Sequence, residues 1–325
     1  MAINRDKPDL WKTDIVRSVD FYNDWFMNFA PQAFRETRII TAARVEAALI
    51  STNNLTIISP SLLKEHPGVL PILRMSTCPP IARDRLIGLA GISKNLVECM
   101  ENEDNPRVPP RMSRERLDHE LSKISAIIER MADPDIFVWL GRDSEATADE
   151  RQRAATIVAD RLCGAVSNPI IRNAQEKRQL ESIANYLNQK GYHNVSIGTG
   201  VRYDQLSPGE YSFHTNIPVN VANSDTSSLT VNIPVDVVIM PLSASAESFP
   251  LLIEAKSAGD FANVNKRRKE EAHKMKQLRD TYGADVRYGL FLCGYFDSGY
   301  LGYEAAEGID WVWEHRIEDL DQYDL

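Results

Sequence analysis

The chain has 325 residues and a formal charge of −9 at pH 7, with 43% apolar and 26% charged residues. Those values exclude a disordered, collagen-like or disulfide-scaffold protein. The first fourteen residues carry six charges and nowhere do eighteen apolar residues follow one another, so a cytoplasmic protein with no membrane partner is predicted.

The first 167 residues read as a mainly helical region, expected to serve substrate contact, dimerisation or both. Ile15, Val19, Tyr22, Trp25, Phe26 and Phe29 follow the three-and-four spacing of a buried helical face. Similar stripes predict helices over Thr41 to Ile50, Leu117 to Met131 and Thr147 to Cys163, the last closing near Gly164. Breakers fall at His66-Pro67, Cys78-Pro79-Pro80 and Glu101 to Pro110. From residue 168 the texture changes. A helix over Arg172 to Lys190 is closed by Gly191 in the position that favours a left-handed cap. Short β-rich runs follow: Asn194 to Ile197, Tyr211 to Val221, Leu229 to Met240, Pro250 to Ser257, Arg287 to Tyr295 and Ile309 to Trp313. A helix over Asn265 to Tyr282 separates the fourth from the fifth. Residues 168–325 therefore predict an α/β core, a mixed sheet flanked by helices.

Within this core, Ile233 to Met240 and Pro250 to Lys256 are two apolar strands joined by a small, polar loop. Residues two apart share a face of a strand, so Glu254 and Lys256 project together. If the hairpin is symmetric its centre is Ser245, and Asp236 stands opposite Glu254, with Cβ atoms about 4.5 to 5.5 Å apart. Two carboxylates at that distance are costly unless a cation lies between them. Mg²⁺ takes oxygen ligands, commonly one or two carboxylates with water and phosphate oxygens, and a neighbouring ammonium suits phosphoryl transfer to water. The bland alternative is a solvated Glu-Lys pair. Against it, Glu254-Ala-Lys256 is the sole acid-x-Lys triplet in the chain and ends an apolar strand facing a second acid.

Pro234-Val-Asp236, a spacer and Glu254-Ala-Lys256, set after a helix and a β-meander, resemble the PD-(D/E)XK nuclease superfamily. The stretch from Ala255 to Ala272 resembles the signature of XamI-type type II restriction endonucleases. That resemblance implies a restriction-endonuclease-like core and Mg²⁺-dependent cleavage of a short palindromic site in double-stranded DNA, GTCGAC-like. It also implies a homodimer and a cognate DNA methyltransferase as functional, not physical, partner. Carried over, Asp236 and Glu254 become metal ligands, the Ala255 carbonyl a further one, and Lys256 the catalytic lysine. Valine separates Pro234 from Asp236, so the literal Pro-Asp dipeptide is absent. A repair or resolvase nuclease of the same superfamily and a non-catalytic DNA-binding protein stay open as alternatives.

Lys266-Arg-Arg-Lys269 begins ten residues after Lys256, in a segment from Lys256 to Arg279 with eight basic and three acidic residues. Lys266, Arg267, Arg268 and Lys269 are the candidate DNA contacts, with arginine suited to guanine and lysine to phosphate. The other reading is an exposed basic helix held by pairs such as Glu270 with Lys274. Glu176 and, from the basic helix, Glu270 or Glu271 are candidate accessory acids. For Glu176 a helix-start acid stabilised by the dipole is the competing reading. The six histidines, His193, His214 and His273 among them, have no metal-ligand spacing and read as structural or surface residues. Four cysteines without a C-x-x-C pair argue against zinc and a disulfide framework. Gly198-Thr-Gly200 reads as a turn.

Overall fold

The structure is a computed structural model that describes residues 2–196, 202–222, 228–245, 248–261 and 264–325; for 222, 228 and 264–268 it describes the backbone alone. The expected turn at Gly198 to Gly200 lies outside these residues. By internal contacts the chain forms two units, Met1–Phe29 with Ile171–Leu325, and Ala30–Ile170. The boundary read from the sequence, at 167/168, falls close to the second seam, whereas the first 29 residues belong with the sheet.

Six strands form, alternating in β2 and β3 and continuously buried in β5 and β6: β1 (His193–Asn194), β2 (Glu210–Ala222), β3 (Ser228–Ile239), β4 (Leu251–Ala258), β5 (Tyr288–Gly294) and β6 (Asp310–Trp313). They stand in that order in one sheet. β2, β3 and β4 form an antiparallel meander, while β1 runs parallel to β2, and β4, β5 and β6 run parallel to one another. This is the mixed α/β core the sequence predicts. Every residue of β5 is buried, as expected of a parallel strand covered on both faces. One cover brings Leu180, Ile183 and Leu187 against Val237, Ile239, Leu251, Ile253 and Phe291. The other brings Met275, Leu278, Tyr300 and Leu301 against Leu252, Leu290, Leu292, Trp311 and Trp313.

The helices that supply these covers are α7 (Ala148–Gln189), α8 (Val264–Tyr282) and α9 (Ser298–Ala306), preceded by α1 (Pro8–Ser51), α2 (Pro60–Glu65), α3 (Leu70–Met75), α4 (Arg83–Ala90), α5 (Lys94–Met100) and α6 (Arg114–Met131). Gly191 has φ +88°, the left-handed turn expected just after α7. Three expectations need correction. The two stripes before Ser51 belong to one helix with Pro31 inside it, and the two between Thr147 and Lys190 belong to another that passes through Gly164 and Pro169. In both, packing along the apolar stripe outweighs the local cost of proline. α9 was not foreseen. It starts at Asp297, whose carboxylate accepts the Tyr300 N–H at 2.7 Å.

In the unit Ala30–Ile170, helices α2 to α6 pack around a core that includes Leu63, Leu73, Leu86, Leu96, Leu121 and Ile124. The buried Glu101 accepts two hydrogen bonds from Arg74, at 2.6 and 2.8 Å. All four cysteines are free. Among the described residues no helix is long and apolar enough to cross a membrane.

Candidate active site

The pairs Ile239↔Leu251, Val238↔Leu252 and Val237↔Ile253 fix the β3–β4 register, and it is symmetric about residue 245. Continued by one residue, it sets Asp236 opposite Glu254. There the backbone ladder stops and the strands begin to part. The Asp236 carboxylate takes over, accepting the Ala255 N–H at 2.8 Å. Asp236, Glu254, Ala255 and Lys256 thus line one open cleft of about 240 Å³. Across it, α7 contributes Arg172, Gln175, Glu176 and Gln179, and α8 contributes Glu270.

Charge in the cleft is unevenly compensated. Glu254, 5% exposed, accepts on Oε1 from Lys256 at 2.8 Å and from Lys274 at 2.7 Å. Its Oε2 is buried and has no hydrogen-bond partner among the described residues. Lys256 also lies 3.2 Å from Glu271 Oε1. Glu271 is fully buried and accepts the Tyr288 hydroxyl on its other oxygen. Burial works against the Lys256 ammonium, but Glu271 and Glu254 outweigh it and hold the pKa above the usual lysine value. An ammonium so held donates hydrogen bonds and is no base at neutral pH. Asp236 shifts in the opposite sense for a carboxylate. Burial first, then the charge of Glu254, pushes it up to about 6, against the pull of the Ala255 N–H and Lys256.

The expected candidates separate into two groups. Asp236, Glu254, Ala255, Lys256, Glu176 and Glu270 share the cleft. The exposed Lys269 instead borders a depression with His273, Lys276 and Arg279. The side chains of Lys266, Arg267 and Arg268 lie outside the described residues. Lys274 reaches Glu254 and not Glu270, the pairing its helical spacing suggested.

Several residues of the site escaped sequence reasoning. Lys274 looks like part of the charged face of a solvated helix yet reaches Glu254, and Glu271, weighed as an acid toward the metals, pairs with Lys256 and Tyr288. Gln179 is 1% exposed and donates from Nε2 to the carbonyls of Lys256, at 3.3 Å, and Phe291, at 3.2 Å, tying α7 to β4 and β5. His214, read as structural or surface, is exposed but brings a ring nitrogen to within 4.8 Å of carboxylate oxygens of Glu176 and Asp236. The one signal in reach was the register of β2 on β3, where Phe213↔Val237 and Thr215↔Val235 bracket His214 and Asp236.

A hairpin carrying two facing carboxylates and a lysine occurs in more than one kind of protein, so comparison with known sequences decides the family. Residues 53–313 match the XamI restriction endonuclease family. The chain belongs to that family. It is 50% identical over 319 residues to the type II restriction enzyme SalI of Streptomyces albus G, covering 98% of each chain. No solved structure matches it. As a XamI-family member the chain is a restriction endonuclease, and the matched span contains all three of Asp236, Glu254 and Lys256.

Proposed function

We propose that the chain is a type II enzyme that hydrolyses phosphodiester bonds of a short palindromic site in double-stranded DNA with Mg²⁺, acting as a homodimer. The observation that carries this reading is the pairing of Asp236 with Glu254, whose Oε2 is buried without a hydrogen-bond partner, beside an ammonium in one cleft. A buried anionic oxygen left unsatisfied is expensive, and a hard divalent cation fits a donor set made of carboxylate oxygens. Asp236 and Glu254 would hold it, with the Ala255 carbonyl as the further oxygen. Such an ion, when bound, polarises the phosphoryl group and lowers the pKa of a water.

The chain's own residues do the rest. Lys256 stands ready as a hydrogen-bond donor toward the attacking water and the oxygens of the phosphoryl group, whose negative charge grows in the transition state. Glu271 and Glu254 keep it charged, and Glu271 fixes where the ammonium sits. Gln179 anchors the backbone carbonyl of Lys256. In the reaction the water oxygen bonds to phosphorus and gives up a proton to solvent, the bond to the leaving ester oxygen breaks, and that oxygen takes up a proton from solvent. Lys266, Arg267, Arg268 and Lys269 would follow the DNA away from the cut.

Digestion of plasmid DNA with Mg²⁺ tests the reading. Discrete fragments should appear whose sequenced ends share one palindrome, and chelation with EDTA should stop the reaction. Lys256→Ala should abolish cutting while a gel-shift assay in Ca²⁺ still detects binding. Structure-selective nicking, or DNA binding without cleavage, would overturn the proposal.

A further inference from the structure

We propose that His214, Glu176 and Asp236 form a second cation position, selective for transition-metal ions that bind imidazole and sharing Asp236 with the Mg²⁺ position. The inference deepens the proposed function at that one carboxylate; its other two ligands are separate. β2 and β4 flank β3, so His214 and Glu254 approach Asp236 from its two neighbouring strands. Glu176 comes from α7, and the donor atoms of the three residues all lie within 4.8 Å of one another. An ion with bonds of about 2.0 to 2.2 Å holds donors up to about 4.4 Å apart, a difference that rotation of the exposed Glu176 side chain closes.

Two further observations point to a cation there. Neither the Glu176 nor the His214 side chain makes a hydrogen bond or ion pair with any described residue, so their donor atoms are uncommitted. Glu254 places a third carboxylate in the same cleft, its Oε2 buried and without a hydrogen-bond partner, while both nearby ammoniums, Lys256 and Lys274, are spent on its Oε1. Arg172 lines the same cleft, yet no ion pair joins it to Glu176 or Asp236 among the described residues. His214 also has φ +51°, and it is the sole non-glycine strand residue with positive φ among the described residues. Oxygen-only positions suit Mg²⁺, whereas an imidazole shifts preference toward Mn²⁺, Co²⁺ and Zn²⁺.

Titration of the full chain with Co²⁺ in the absence of DNA, followed by visible absorption and calorimetry, tests this. His214→Asn is the variant to use, because asparagine accepts a left-handed backbone better than alanine does, and circular dichroism checks its fold. Wild type should bind Co²⁺ with a histidine-dependent spectrum. His214→Asn and Glu176→Gln should each lose affinity by at least about tenfold, while Glu254→Gln keeps that spectrum. The proposal is overturned if wild type takes up no Co²⁺, if His214→Asn binds it unchanged, or if Glu254→Gln abolishes the signal. Failure of the Mg²⁺ reading looks different: Glu254→Gln would still cut DNA.

Discussion

Asp236 carries the sharpest consequence of the site's electrostatics. With its pKa pushed up to about 6 by burial and by Glu254, the metal-free carboxyl is half protonated near that pH. Cation and proton then compete, so Mg²⁺ affinity measured by calorimetry should rise about tenfold per unit below pH 6 and level off above it. A pH-independent affinity from 5 to 8 would exclude Asp236 as ligand. The linkage to stability has a definite sign. Between the ordinary value of 3.8 and about 6 the native state holds more protons than the unfolded chain, so this group's contribution to stability falls as pH rises through that window. Asp236→Asn and Glu254→Gln should each lose Mg²⁺-supported cleavage, since each removes an anionic ligand at constant side-chain size. Glu271→Gln acts one step removed. It takes away an anion holding Lys256 charged, and should lower kcat about tenfold with KM little changed, while shifting the alkaline limb of the pH-rate profile downward. A purely structural role would leave that limb in place.

At the scale of elements, α8 turns charged residues to opposite sides of one helix. Glu271 and Lys274 face the catalytic strand, while Lys269 is exposed. Lys269→Ala should lower the slope of log affinity against log salt by about 0.9 and weaken all sequences alike, as loss of one phosphate contact does. Of Arg267→Ala and Arg268→Ala, at least one should cost about 1 to 3 kcal/mol at the cognate site and relax choice at one base pair. Unchanged affinity, salt dependence and star-site cutting in both would remove this helix from DNA reading. Much at this scale was legible. Period-two alternation marks β2 and β3, short apolar runs mark β4 to β6, and the symmetry of the loop around Ser245 gives the register that opposes Asp236 to Glu254. Other features had no local trace. Glu271 and Lys274 belong to a helix whose composition is that of a solvated face, and only the sheet beside it reveals which side is inward. The donors near His214 come from α7, β2 and β3, so no spacing along the chain could unite them. Pro31 and Pro169 are honest local breakers that long apolar stripes override.

For the whole molecule, a palindromic target calls for two cleavage sites related by a two-fold axis. Sedimentation equilibrium should therefore give twice 36.7 kDa. Hybrids of wild type and Lys256→Ala should nick one strand and leave the other intact; linear product from the hybrid would contradict a homodimer with one site per strand. With a net charge of −9 and eight basic residues between Lys256 and Arg279, association with DNA should weaken steeply as ionic strength rises in a filter-binding titration.

Hydrogen bonds clamp residues near position 4 to residues near position 310. Ile3 and Asn4 donate their backbone N–H groups to the Asp310 carboxylate, at 2.6 and 2.8 Å, and Arg316 reaches back to Asp14 and Asn4. These contacts span more than 300 positions, and β6 completes the sheet edge beside β5. A nascent chain leaving the ribosome thus holds residues 236, 254 and 256 long before the partners of its own beginning exist. The unit that holds the cleft therefore cannot close this clamp until residue 310 has been made, and a chain truncated before that point leaves Ile3 and Asn4 without their acceptor.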